Sequence, residues 1–217
     1  MVDTMVVGQV AGVEALAALG AVDFLMWVVT GISTGLTQGF SIQLSQYYGA
    51  KDFENLRKSL AHSYRLTAFI AAGVLILSQS FASLVLTGLH TPSNIIGMSL
   101  LYLRIIFCGI PATAAYNMFA SALRAMGNSK TPLTAMIIAS VLNVSLDILF
   151  VAGFGWGVAG AAIATVIAQS FSAVYCFLIL RRIDIVHLSR ADFMSAAGMN
   201  ARLMTVSYTH LTLPTIL

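Results

Sequence analysis

The chain has 217 residues, 59% of them hydrophobic and only 9% charged, with a formal net charge of +3. Soluble domains carry about 25% charged residues, and a soluble fold of this size could not hide so much apolar surface beneath a polar skin. A mean hydropathy of +0.90 therefore makes a bilayer the solvent. The positive balance implies no nucleic-acid partner, because the Lys and Arg residues fall mostly into three clusters between apolar runs. The two cysteines, Cys108 and Cys176, lie in separate apolar runs with no disulfide framework or metal-ligand spacing. No cleavable signal peptide is visible.

Apolar runs of roughly 20 residues or more can cross a bilayer as helices, and breakers divide this chain into a stub and five such runs. The stub covers about 1–7. The second span runs over about 14–48, the third over 56–89 and the fourth over 93–126, opened by Thr91-Pro92-Ser93. The fifth covers 131–153 and opens at Thr131-Pro132, read as an N-cap followed by proline at the first helical position. The sixth covers 155–180. Residues 1–182 thus read as one transmembrane lobe, and 183–205 as a cytoplasmic connection.

Charge sorts the connections. Lys51, Arg57 and Lys58 follow the second span, Arg124 and Lys130 the fourth, and Arg181, Arg182 and Arg190 the sixth; the intervening loops contain neither Lys nor Arg. By the positive-inside rule the basic loops are cytoplasmic and the others outside; the expected location is the plasma membrane, as a multi-pass chain. The segment before the second span then lies outside, so Met1 to Val7 reads as the outer end of a helix whose start is absent. At the other terminus, Val206 to Thr215 back-translates as GTC TCT TAT ACA CAT CTG ACG CTG CCG ACG, which resembles a transposase-type sequencing adaptor. The segment 206–217 is therefore expected to be a non-native tail.

Ionisable side chains within a bilayer cost about 2.5–3.5 kcal/mol at a helix centre on insertion scales, so each is a functional candidate. Asp3, Asp23, Arg104 and Asp147 qualify. Asp147 lies deep in the fifth span with Asn143 four residues earlier, so both project from one helical face. A carboxylate beside an amide oxygen suits a hard cation such as Na⁺, and a desolvated carboxylate also suits proton exchange; the chemistry does not choose between them. The bland alternative is an Asp–Asn pair that only bonds neighbouring helices. Asp23, with Trp27 one turn on, is either cavity-lining or interfacial. Arg104 is expected to pair with an acid or reach a polar end.

Pro111 frees the carbonyl of Phe107 and predicts a kink, with Asn117 beyond it toward the cytoplasm. Gly31, Gly35 and Gly39, and likewise Gly160, Ala164 and Ala168, form small-residue stripes suited to close helix approach. The flank Thr30, Ser33, Thr34, Thr37 and Gln38 is expected to face a wet cavity. His62 and His187, near the basic clusters, read as surface residues. No Walker loop and no nucleophile–base constellation occurs, so neither an enzyme nor an ATP-driven pump is expected.

Several motifs together carry a resemblance. Met1-Val2-Asp3-Thr4-Met5-Val6-Val7-Gly8 with Glu14-Ala15-Leu16-Ala17-Ala18-Leu19-Gly20 resembles the first-helix exit of the multidrug and toxic compound extrusion (MATE) family. Arg124-Ala125-Met126-Gly127-Asn128 with Thr131-Pro132 resembles its loop between spans four and five. Leu142 to Asp147 and Gly155 to Thr165 resemble its fifth and sixth spans. The match covers nearly all of Met1 to about Arg182.

The resemblance implies an all-α polytopic membrane protein: one six-helix lobe, its first helix truncated, of a twelve-helix, two-lobe transporter. It implies a cation site formed by Asp3, Asn117, Asn143, Asp147 and Thr165. It implies no cofactor beyond a coupling ion, H⁺ or Na⁺, exchanged for bulky, often cationic organic compounds. The expected partners are membrane lipid, that organic substrate and the absent C-terminal lobe. A lipid-linked precursor flippase of the same superfamily would need a more cationic cavity than one with Arg104 as its sole mid-span base. A non-transporting helical scaffold would need no acid facing the lobe interior.

Overall fold

The computed structural model describes residues 2–10 and 12–186. His187, nearly all of the 183–205 connection and the 206–217 tail lie outside the described residues. Helix α1 is Val2–Val10, α2 Val13–Gly49, α3 Phe53–Gly88, α4 Ile96–Cys108, α5 Ile110–Ala125, α6 Lys130–Asp147 and α7 Gly157–Arg181. A π-helical stretch, Ile148–Gly153, continues α6, and a short 3₁₀ turn, Asp184–Val186, follows α7. Among the described residues there is no strand. Four helical stretches are long and apolar enough to cross a membrane, and the α4–α5 pair makes a fifth.

The outer surface agrees with that count. Phe69, Ile76, Leu77, Leu84, Val141 and Val174 are all more than half exposed, an arrangement that only a lipid environment satisfies when it extends along whole helices.

The helix ends show local chemistry that differs from the sequence expectations. The first helix continues through Gly8-Gln9 to Val10, residues read above as loop. Helix α6 starts at Lys130, and the side chain that caps it is Asn128, whose Oδ1 accepts the Thr131 N–H at 3.1 Å. Thr131 is thus already inside the helix. Helix α4 starts at Ile96 with no side-chain cap, three residues beyond Ser93; the Pro92 carbonyl instead accepts from Ile95 and Ile96. Only at α4 does a turn between the breaker and the helix absorb the residues that sequence reading assigns to the helix start; α1 and α6 extend beyond their expected ends.

The fourth span is broken. Pro111 has no N–H for the Phe107 carbonyl, the chain tightens to a Gly109 N–H bond to Ile106 O at 2.8 Å, and α4 and α5 meet at a bend of 42°. Arg104 near the break is exposed and, among the described residues, pairs with no acid; its carbonyl accepts from Gln79 Nε2 at 2.8 Å.

Packing divides the interior into two apolar clusters. One gathers Val7, Leu19, Val22, Leu103, Phe107 and Val158, and the other Phe40, Leu60, Met118, Leu123, Cys176 and Leu180. They occupy opposite ends of the lobe. Between them lies a band in which Thr113, Asn117, Asn143, Thr165 and Gln169 break the apolar packing, and this band holds the candidate site.

His62 corrects a sequence expectation. It is 0% exposed, in a helical stretch of α3 where Ser59, Leu60, Ala61 and Ser63 are also buried. The helix face that carries it packs inward rather than toward the basic loop. The small-residue stripes also separate. Gly160, Ala164 and Ala168 are buried, whereas a Cβ at Gly31 would meet no atom within 4 Å, so Gly31 makes no close helix approach.

Candidate cation site

Helices α6 and α7 form an antiparallel hairpin, and the site lies on its facing surfaces. Asn143 of α6 donates from Nδ2 to Thr165 Oγ1 of α7 at 3.4 Å, and the Thr165 hydroxyl donates to Ala161 O at 3.0 Å. One turn further along α6, Asp147 is 0% exposed. Helix α1, which carries Asp3, packs against α6, the π-helical stretch and α7; Asp3 is described as backbone only. Asn117 lies half-buried on α5, and its neighbour Tyr116 lines the hollow that Asn143 and Thr165 share. The structure thus joins Asn143 to Thr165 and sets Asp147 one turn away. It brings the helix of Asp3 against the same hairpin.

Asp147 is the last residue of α6 before the π-helical stretch, where the backbone widens: Phe154 N–H bonds to Leu149 O at 2.9 Å. Inserting a residue into a helix in this way re-aims the side chains around it and is frequent at functional sites. Sequence reasoning missed this feature. The only signal for it is the run of bulky residues in Ile148-Leu149-Phe150-Val151 against the small-residue face of α7, where Gly160 lets the Phe150 backbone approach. A Cβ at Gly160 would lie 3.0 Å from Phe150 Cβ and 3.1 Å from its carbonyl carbon. Phe150 stacks on Trp156 with ring centroids 5.2 Å apart, at the turn that joins α6 to α7.

Hollows of different size surround the site. One of about 130 Å³ lies between α5, α6 and α7, and one of about 110 Å³ lies between α2, α4, α5 and α7. A larger one, about 410 Å³, opens at the Pro111 break and is walled by Tyr64, Thr67, Leu75, Met118, Phe119 and Phe177. Organic ligands occupy pockets of about 300–1,000 Å³, so only the last of these three has the size for one. Asp23 and Trp27 line an open hollow with Met26 and Thr30; both are exposed, Trp27 by 76%. Among the flank residues expected to face a wet cavity, Thr30 lines both this hollow and the 110 Å³ one. None of these four hollows is lined by Lys or Arg.

The MatE family model matches residues 1–149. A probable multidrug resistance protein YoeA of Bacillus subtilis (strain 168) is 33% identical over 184 residues, covering 83% of this chain and 39% of that protein. The probable multidrug resistance protein YpnP of the same organism is 32% identical over 80% of this chain and 39% of its own length. Among solved structures, a MATE protein in a bent conformation superimposes with a TM-score of 0.90 at 23% identity, over 96% of this chain and 47% of that one. The chain therefore spans about two fifths of the length of the curated relatives it matches. With its family model matching well over half of its residues, this chain belongs to the MatE family of membrane transporters.

Proposed function

We propose that this chain forms the cation-binding lobe of a secondary active transporter that exports bulky, often cationic organic compounds in exchange for H⁺ or Na⁺. The observation that carries the reading is Asp147, fully buried one helical turn from the Asn143–Thr165 bridge. A carboxylate removed from water is costly unless a proton or cation accompanies it. Ion binding therefore favours whichever lobe conformation encloses the carboxylate, and organic substrate favours the other. Exchange follows when each ligand binds its own state more tightly.

The flippase reading calls for a cationic cavity. The hollows described above offer aromatic, hydroxyl and amide groups instead, which suit a cation or an uncharged aromatic surface better than a pyrophosphate. The scaffold reading gives the buried acid only a helix-joining role, which the Asp147→Asn test below separates from ion coupling.

The test is Asp147→Asn in the two-lobe transporter reconstituted in vesicles, with efflux of a cationic dye followed under separate proton and sodium gradients. Loss of gradient-driven efflux with normal membrane insertion is expected; undiminished efflux refutes the assignment. The gradient that drives the unmodified protein identifies the coupling ion. One relative, from Shewanella oneidensis, is named an FAD transporter, so FAD belongs beside the dyes in the substrate panel.

A further inference from the structure

The hollow of about 410 Å³ at the Pro111 break opens differently from the smaller ones. Helix α5 packs against both α3 and α7, while among the described residues α3 and α7 do not pack on each other. The hollow is the groove between them, floored by α5. Its residues Ala68, Ala72 and Pro111 are exposed, and Phe69, Ile76 and Val174 on the flanking helices are more than half exposed. That surface faces lipid, so hydrocarbon is the medium at the mouth of the groove.

The groove has a polar end and an apolar end. Tyr64 lies against Phe119 with ring centroids 5.5 Å apart, and Phe119 against Phe177 at 5.3 Å. This row of aromatics stands at the end nearest the Lys/Arg-rich loops, and aromatic side chains favour the membrane interface. Leu75 is ten residues beyond Arg65, about 15 Å of helix rise, and half of a roughly 30 Å hydrocarbon core is also about 15 Å. The groove therefore spans one leaflet, with the Pro111 break at its deep end. Stretches 66–75 and 111–119 contain no charged residue.

Charge marks the shallow end. The exposed positions Ala72 and Ala68 on α3 continue at helical spacing to Arg65, and Val174 and Phe177 on α7 continue to Arg181; both arginines are exposed. The path to them runs over the surface, since Leu60, Leu123 and Leu180 fill the interior at that level. Arg181 leans back over Phe177, because helical side chains tilt toward the N-terminus of their helix. Arg65, Arg181 and Arg182 stand there with one acid, Asp184, in the turn that touches both helices. The balance is positive, which suits an anionic headgroup better than a zwitterionic one.

A buried hydroxyl at the same end lacks a partner. Thr67 lines the hollow, is 8% exposed, and its Oγ1 makes no hydrogen bond among the described residues. Ser63, one turn earlier, instead donates to Ser59 O at 2.8 Å. An unpaired buried hydroxyl is costly, and the ester carbonyls of a phospholipid, which lie just beneath its phosphate, are acceptors at that depth.

We propose that this groove is a lipid site. It takes one acyl chain of an anionic phospholipid from the leaflet on the Lys/Arg-rich side, with the phosphate between Arg65 and Arg181 and an ester carbonyl near Thr67. The site lies apart from Asn143, Asp147 and Thr165, so it stands whether or not the cation-coupled reading does.

The test uses the two-lobe transporter in phosphatidylcholine vesicles. A trace of phosphatidylglycerol with a diazirine near the end of one acyl chain is photolysed, and labelled peptides are mapped; phosphatidylcholine with the same chain is the comparison. Labelling of 66–75 and 111–119 by the glycerol probe should exceed that by the choline probe about tenfold, while the lipid-exposed stretch 136–141 of α6 labels alike with both. Arg65→Gln with Arg181→Gln should bring the two probes within about twofold, and Arg65→Lys with Arg181→Lys should keep most of the difference. Ala72→Phe, at an exposed position, fills the groove and should lower the label about tenfold with both arginines in place. Equal labelling by the two probes in the unmodified protein overturns the proposal, as does undiminished labelling in Ala72→Phe. So does an absence of label, the result if the second lobe or residues beyond 186 cover the groove. Excess cationic dye should leave the label unchanged; a dye that strips it would make the groove an organic-substrate site and also overturns the proposal.

Discussion

Thr165 accepts the Asn143 amide at 3.4 Å while its own hydroxyl proton is held by Ala161 O. The oxygen therefore serves α6 and faces two hollows at once. Thr165→Val keeps the shape of the side chain and removes the acceptor. Gradient-driven efflux should fall about tenfold, the equivalent of one lost hydrogen bond of about 1.4 kcal/mol, while Thr165→Ser retains most of it. Equal efflux in Thr165→Val and the unmodified protein would show that the contact only joins two helices.

Gly160 makes a sharper structural prediction. Its missing Cβ is what lets α7 lie against the Phe150 backbone, with contact distances of 3.0 and 3.1 Å if a methyl were added. Backbone cannot swing aside as a side-chain tip can, so Gly160→Ala should cost about 1–3 kcal/mol by overpacking. The π-helical stretch after Asp147 would shift with it. Gly31→Ala, which meets open space, should be neutral or stabilising. Thermal unfolding in detergent, followed by tryptophan emission, separates the two; similar midpoints would mean that α7 and the π-helical stretch do not touch as described.

Composition and charge spacing make the helical membrane class legible, because hydrophobic span length and loop charge follow directly from the bilayer. The Pro111 break is legible for the same kind of reason, a missing donor at a known offset. The rest depends on which face of a helix meets which neighbour. His62 sits near basic residues in sequence yet is fully buried, since a helix turns a side chain by about 100° per residue whatever its charged neighbours do. Asn143 and Asp147 show their common face through their spacing. Thr165, 22 residues from Asn143, becomes its partner only when α6 and α7 fold back on each other. The π-helical stretch leaves almost no trace in composition; it lies where Phe150 packs closely against Gly160 of α7.

Asp52 joins two helices with one residue. Its backbone N–H bonds to Tyr47 O to close α2, while its carboxylate accepts from Asn55 N–H at 3.2 Å and Asn55 Nδ2 at 2.7 Å to open α3. These hydrogen bonds, the side-chain one foremost, hold its carboxyl below the usual value of 3.8. A depressed folded-state value means that the contribution is complete above the unfolded value and disappears as pH falls through the folded one. Asp52→Ala should therefore lower the unfolding midpoint at neutral pH, and the gap from the unmodified protein should close below about pH 3.8. Asp52→Asn, itself a good N-cap, should sit near the unmodified protein at neutral pH. A gap for Asp52→Ala that persists unchanged into acid would mean that the carboxylate is not the cap.

Gly127 and His90 test the same turn from opposite sides. After α5, Gly127 has φ 83°, with Gly127 N–H bonded to Arg124 O and Asn128 N–H to Leu123 O. After α3, His90 repeats that arrangement at φ 54°, bonding to Thr87 O, with Thr91 bonding to Leu86 O. Both are left-handed helix terminations, where a side chain costs about 1–2 kcal/mol that glycine avoids. Gly127→Ala should destabilise the protein by about 1 kcal/mol and His90→Gly should stabilise it by a similar or smaller amount, reduced by the entropy glycine adds to the unfolded chain. The pair is informative because the expected signs oppose each other within one measurement. If His90→Gly lowers the unfolding midpoint as Gly127→Ala does, the imidazole makes a contribution to the α3–α4 turn that outweighs its strained backbone.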